Sequence, residues 1–153
     1  MTLTTLIIDD DPVMCMIHNK LLQGYAAGRE ILTFSRAPDA LRFLEGDYKP
    51  DNYYLLLLDI CMPVMNGFNF LQAIAHRFPA ENLKVIMVSS SIDPADRLMA
   101  FSFHHVAHYM VKPLMPADLE QIRDITLSII FPPGKGATPA SGADVRCEVY
   151  DER

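Results

Sequence analysis

Five short apolar runs punctuate the chain, and each is followed by a segment with helical spacing. Leu3 to Ile8, Glu30 to Phe34, Tyr53 to Leu58, Leu83 to Val88 and Val106 to Val111 are too short for core helices and rich in β-branched or bulky residues, so each predicts a strand. Tyr53 to Leu58 is apolar or aromatic at every position, as suits a strand covered on both faces of a parallel sheet. The first helix is expected from Pro12 to Gly24, capped by Asp11, with Val13, Met14, Ile17, Leu21 and Leu22 as its apolar positions. Ser35 is expected to cap the second, which runs through Ala40, Leu41, Phe43 and Leu44 to Gly46. Asn66 caps the third, from Gly67 through Phe70, Leu71 and Ile74 to Phe78, where Pro79 breaks it. Asp93 and Pro94 start the fourth, which reaches about Phe103. The last begins near Pro116 and is expected to bury Leu119, Ile122, Leu127 and Ile130. Strands alternating with helices predict a doubly wound five-stranded parallel α/β sheet with helices on both faces.

In such sheets ligands bind outside the carboxyl ends of the strands. That rule selects Asp9 and Asp10 after strand one, Asp59 after strand three, Ser89 after strand four and Lys112 after strand five. A carboxylate at the end of a buried strand is costly without a cation or proton partner, so Asp59 in particular marks a site. Three carboxylates facing one lysine lack positive charge, and an oxygen-only donor set of this kind suits Mg²⁺. A carboxylate can also act as a nucleophile toward phosphorus while a metal, a lysine and a hydroxyl neutralise the transferring oxygens.

Composition narrows the partners. Half of the 153 residues are hydrophobic, enough for one domain with a core. Residues 1–131 are expected to form it, and 132–153, rich in Pro, Gly, Ala and Ser, to form a flexible tail without an effector domain. Within the tail, Val145 to Val149 alternates like a strand but has no mate nearby. Nineteen acidic against thirteen basic residues leave a net charge of -6, which opposes a nucleic-acid partner. Cys15, Cys61 and Cys147 lack disulfide or zinc spacing and fit a reducing cytoplasm. No signal peptide or membrane-length apolar stretch is apparent, so neither secretion nor a membrane partner is expected.

Four motifs, IIDDDP, LLLLDICMPVMNG, VIMVSS and HYMVKP, occur in that order over about Leu3 to Ile130, and together they resemble the receiver domain of two-component response regulators. The resemblance implies a flavodoxin-like sheet of order 2-1-3-4-5. It makes Asp59 the phosphoacceptor, with Asp9, Asp10, Asp59 and the backbone carbonyl of Cys61 as the Mg²⁺ site. Lys112 would pair with the phosphoryl group, Ser89 would be the switch hydroxyl and Tyr109 the aromatic that reorients with it. The Lys112-Pro113 bond is expected to be cis. Phosphate would come from a sensor histidine kinase or histidine phosphotransfer protein. Output would pass to a downstream protein or a second copy through helix four, strand five and helix five. Such a protein catalyses only its own phosphorylation and slow dephosphorylation.

Two departures from the family pattern stand out. His105 takes a place near strand five where receivers often have Gly, so any left-handed residue there would be a histidine. His104, His105 and His108 crowd five residues, but strand alternation sets His105 against the other two, which weakens a metal reading. The strongest rival function is a haloacid-dehalogenase-like phosphatase with Asp9 as nucleophile. It would need further acids after Lys112, and it leaves Asp59 and MPVMNG unexplained. A non-phosphorylated pseudo-receiver is opposed by the retention of Asp10, Asp59, Ser89 and Lys112 together. A flavin-binding flavodoxin would need a phosphate-binding Ser/Thr-Gly loop after strand one.

Overall fold

The computed structural model describes residues 2–24 and 30–134. Five strands form one parallel sheet: β1 (Leu3–Ile8), β2 (Glu30–Phe34), β3 (Tyr53–Leu58), β4 (Leu83–Ser89) and β5 (Val106–Val111), in the order β2-β1-β3-β4-β5. Five helices connect or follow them: α1 (Pro12–Gln23), α2 (Ala37–Asp47), α3 (Gly67–Ala75), α4 (Pro94–Phe101) and α5 (Leu119–Ile130), the last preceded by a 3-10 turn at Pro116–Asp118. The expected fold class and strand order are both found. No described helix is long and apolar enough to cross a membrane. The tail expected over 132–153 lies outside the described residues from 135 onward.

Alternation along the strands builds two cores. Leu6, Ile8, Leu56, Leu58, Val85 and Met87 pack with Leu44, Phe70, Leu71, Ile74 and Ala100, so this face is covered by α2, α3 and α4. Ile7, Leu55, Leu57, Ile86 and Val88 point the other way and pack with Cys15, Leu22, Ile122 and Ile129, which belong to α1 and α5. The central strands β1 and β3 are buried nearly throughout, whereas β2 at the edge is partly exposed. This explains why β3 reads as an unbroken apolar or aromatic run, whereas β2 carries Glu30 and Thr33 at exposed positions.

Helix starts follow their caps. Asp11 accepts from the Val13 and Met14 amides, Asn66 and Asn69 form a reciprocal capping box, and Asp93 accepts from the Ala95 amide. Ser35 does not cap α2: that place falls to Arg36, which makes no side-chain cap bond. The faces of α1 and α5 also differ from expectation. Val13 and Ile17 are exposed and α1 buries Cys15 and His18 beside the expected Leu22, while α5 exposes Leu127 and buries Thr126. In both helices a buried polar group satisfied by a hydrogen bond takes a core position. His18 accepts from the Leu114 amide, and the Thr126 hydroxyl donates to the Ile122 carbonyl.

His105 is not left-handed; among the described non-glycine residues only Val64 has positive φ, at 72°. His104 and His105 precede β5 in a turn, and a bulge at Ala107 lets His108 pair with Ile86, so strand alternation does not govern the three histidines.

Candidate functional site

Parallel register sets the site. Ile8 pairs with Leu58, so the next residues, Asp9 and Asp59, leave neighbouring strands side by side. Each is tied by its amide: Asp9 to the Phe34 carbonyl and Asp59 to the Ile8 carbonyl, both at 3.0 Å. β1 lies between β2 and β3, where the strand order reverses, which is where the chain connections leave a crevice. On the other side Ser89 pairs with Val111, and the following Lys112 amide donates to the Ser89 carbonyl at 2.9 Å. Residues from four loops thereby meet at one edge of the sheet. The Lys112-Pro113 bond is cis, as expected.

Lys112 Nζ stands 2.6 Å from Asp9 Oδ2 and 3.1 Å from Asp59 Oδ2. Asp10 is exposed beside them, and Asp9, Asp10 and Asp59 each offer a carboxylate oxygen within 4.8 Å of the others. The buried Asp9 also accepts from the Asp11 amide through Oδ1 at 2.9 Å. Burial pushes the Asp59 pKa up; the Lys112 hydrogen bond pulls it down, Asp9 adds to the rise, and the Cys61 amide opposes it. Burial works against the Lys112 ammonium, but its bonds to Asp9 and Asp59 outweigh that and raise its pKa. One ammonium cannot balance three carboxylates, and two of them are buried. Oxygen donors this close, short of positive charge and open on the Asp10 side, fit a divalent cation.

The loop after Asp59 is held near the carboxylate by close packing. A Cβ on Gly67 would lie 2.4 Å from the Asp59 carbonyl oxygen, and the Gly67 amide donates to the Ile60 carbonyl at 2.8 Å. Only glycine lets the start of α3 approach the strand end this way. Between them Val64 adopts a left-handed backbone that a β-branched residue rarely takes.

Ser89 is buried, and its hydroxyl accepts from the Ser91 amide at 3.1 Å. Tyr109 is buried too, and its hydroxyl donates to the Ser91 carbonyl at 2.9 Å. The Ser91 hydroxyl donates to Asp96 Oδ2 at 2.6 Å and accepts from the Asp93 amide at 3.2 Å, so Ser91 joins the site to α4. Arg97 lies over the Tyr109 ring at 5.8 Å. Asp9, Asp10, Asp59, Ser89 and Lys112 therefore come together, Tyr109 stands one residue removed through Ser91, and Cys61 follows Asp59 with an exposed side chain. The three histidines form no metal cluster among the described residues.

Three supporting residues escaped the sequence. Cys15 donates its thiol to the Asp9 carbonyl at 3.2 Å, and burial followed by Asp9 and Asp11 raises its pKa. His18 reaches the loop after Lys112 across 96 residues, a contact that no local pattern signals. Ser91 ends the run Ser89-Ser90-Ser91, in which nothing local distinguishes one hydroxyl from the next.

Comparison with known proteins agrees with this geometry. The family model described as the response regulator receiver domain matches residues 5–124. The two-component response regulator ORR1 of Oryza sativa subsp. japonica is 29% identical over 123 residues, covering 78% of this chain and 53% of that protein. Two-component response regulator ARR11 of Arabidopsis thaliana is 32% identical over 120 residues, covering 78% of this chain and 22% of that one. The chain thus spans about half or less of these relatives. Among solved structures, a two component response regulator from Cytophaga hutchinsonii superposes with a TM-score of 0.74 at 26% identity, covering 83% of this chain and 98% of that one. A CheY-like receiver domain protein from Methanospirillum hungatei gives a TM-score of 0.67, also at 26% identity, covering 84% and 95%. Fold, site and matched sequence lead to one conclusion: the chain belongs to the response regulator receiver domain family.

Proposed function

We propose that the protein is a phosphoacceptor in a two-component or phosphorelay system, taking a phosphoryl group onto Asp59 from a histidine of a sensor kinase or phosphotransfer protein. The observation that carries this reading is the convergence of Asp9, Asp10 and Asp59 at the carboxyl edge of the sheet, with the Lys112 ammonium paired to Asp9 and Asp59. An Asp59 oxygen attacks phosphorus, the P–N bond to the donor histidine breaks, and its electron pair returns to the imidazole nitrogen. The Lys112 ammonium turns from Asp59 to the incoming phosphoryl oxygens, and the Ser89 hydroxyl donates to another of them. Asp9, Asp10, Asp59 and the Cys61 carbonyl would hold Mg²⁺, which would supply positive charge to those oxygens.

The new dianion gives the Ser89 hydroxyl a strong acceptor. Ser89 is bonded to Ser91, and Ser91 to Tyr109 and Asp96, so its movement biases the packing of the β4–α4 loop. Leu98, Met99 and Val111 are exposed on α4 and β5 and supply apolar surface for a downstream protein or a second copy. Incubation with Mg²⁺ and a small acyl phosphate is expected to label wild type and leave Asp59→Asn unlabelled. Ser89→Ala should accept phosphate but lose the Tyr109 response followed by NMR. Labelling of Asp59→Asn at the wild-type rate would overturn the assignment. Rapid turnover of a phosphate ester with modification at Asp9 would favour the phosphatase.

A further inference from the structure

We infer that His18 is a positioning residue for Lys112: from the buried face of α1 it holds the backbone that follows Lys112-Pro113, and so keeps the ammonium's loop against the acids. This inference rests on the phosphoacceptor reading for its consequence, though not for its geometry. His18 is 1% exposed, and its Nε2 accepts from the Leu114 amide at 3.2 Å. An accepting Nε2 places the ring proton on Nδ1 and requires a neutral imidazole. Burial lowers the His18 pKa, Asp9 pulls against that and Lys112 adds to it, so the neutral ring is favoured.

The bond matters because the loop has few others. Lys112 is anchored by its amide to the Ser89 carbonyl, Pro113 has no N–H to give, and the Met115 amide turns forward to Asp118 Oδ2 at 2.7 Å. Of these donors, only the Leu114 amide reaches α1, the helix that begins directly after Asp9-Asp10-Asp11. One turn earlier on the same face, Cys15 holds the Asp9 carbonyl. The buried side of α1 therefore grips the acid strand end through Cys15 and the cation loop through His18. Without His18 the Leu114 amide would be buried and unpaired, and the loop would have to shift to find another acceptor.

A matched pair of substitutions separates the hydrogen bond from mere filling of space. His18→Gln and His18→Met carry side chains of similar length, and only glutamine ends in a strong acceptor that can stand where Nε2 stands. Two quantities are measured in the full chain: exchange of the Leu114 amide without phosphodonor, and the rate of Asp59 phosphorylation in Mg²⁺ with a saturating acyl phosphate. In His18→Met both are expected to change by about tenfold, exchange faster and phosphorylation slower, with His18→Gln close to wild type. Equal behaviour of His18→Met and wild type in both measurements would overturn the inference. So would equal impairment of the two variants, which would reduce His18 to packing. If wild type takes no phosphate on Asp59, the phosphoacceptor reading fails first, and the exchange of Leu114 still decides whether the tether exists.

Discussion

The two ends of the sheet both bury polar groups, yet they solve opposite problems. At the amino end, Asn82 accepts from the Tyr48 hydroxyl at 2.9 Å and donates to the Asn52 carbonyl at 2.9 Å and the Pro50 carbonyl at 3.3 Å. Beside it His105 Nε2 donates to the Phe78 carbonyl at 2.8 Å, and the Tyr54 hydroxyl accepts from the Lys49 amide at 2.8 Å. These groups are neutral and mutually satisfied. At the carboxyl end Lys112 pairs with Asp9 and Asp59 while Asp10 stands beside them, so negative charge is left over. A saturated neutral network fixes chain connections; a surplus of like charge in a buried setting is costly and persists where it has chemistry to perform. The pair of buried histidines repeats the contrast in small: His105 donates through Nε2 at one end, and His18 accepts through Nε2 at the other.

The largest expected effect breaks the comparison at Lys112 and Asn82. Lys112→Ala should slow phosphorylation of Asp59 by about a hundredfold or more, because it removes the cation paired with Asp59 and Asp9. Asn82→Ala should leave that rate unchanged while lowering stability by about 1–3 kcal/mol, since it strands buried partners. Kinetics and denaturant unfolding on both variants check this, and a kinetic loss in Asn82→Ala would erase the distinction between the two ends.

Next in size is the response to Mg²⁺. At about ten times its dissociation constant the ion should stabilise wild type by about 1.4 kcal/mol, with the gain lost in Asp10→Ala and kept in Asn82→Ala. Thermal unfolding with and without Mg²⁺ measures it. Unchanged Mg²⁺ stabilisation in Asp10→Ala would remove Asp10 from the metal site.

Smaller and opposite in sign are the pH effects at the two ends. Burial raises the Asp59 pKa, so the native carboxyl holds its proton more tightly than the unfolded one. Stability then falls as pH rises from the ordinary carboxylate range through the raised value. Asp59→Asn should therefore be more stable than wild type at neutral pH without Mg²⁺, with the gain vanishing below the ordinary carboxylate range. His105 behaves the other way. Burial lowers its pKa against the opposing Phe78 bond, so stability is lost as pH falls through the ordinary histidine range. His105→Gln should flatten that slope between about pH 7 and 5, leaving the shares of His18 and His108, whose pKa values burial also lowers. Urea unfolding at several pH values tests both signs.

Much of this architecture was legible in the residues. Apolar runs bounded by Asp, Ser or Lys located every strand, because a parallel sheet buries its middle strands on both faces and exposes only their ends. Caps with side-chain acceptors, Asp11, Asn66 and Asp93, were equally clear. Reading failed where tertiary contacts overrule local pattern. Val13 and Ile17 have the spacing of a core face, yet α1 turns Cys15 and His18 inward because Asp9 and Leu114 supply their partners. The acids and Lys112 were found because each follows a strand directly, whereas His18 and Ser91 act through backbone groups that the sequence does not display. Nor does anything about Val64 announce a left-handed backbone, since valine is among the residues least suited to it.

The central claim is that Asp59, rather than Asp9 or Asp10, receives phosphate. After brief reaction with Mg²⁺ and an acyl phosphate, borohydride reduction converts an aspartyl phosphate to homoserine, and peptide mass spectrometry locates it. The account predicts homoserine at position 59 alone, absent when Mg²⁺ is chelated and absent in Asp59→Asn. Homoserine at position 9 or 10, or none at any position under conditions that keep the protein folded, would contradict it.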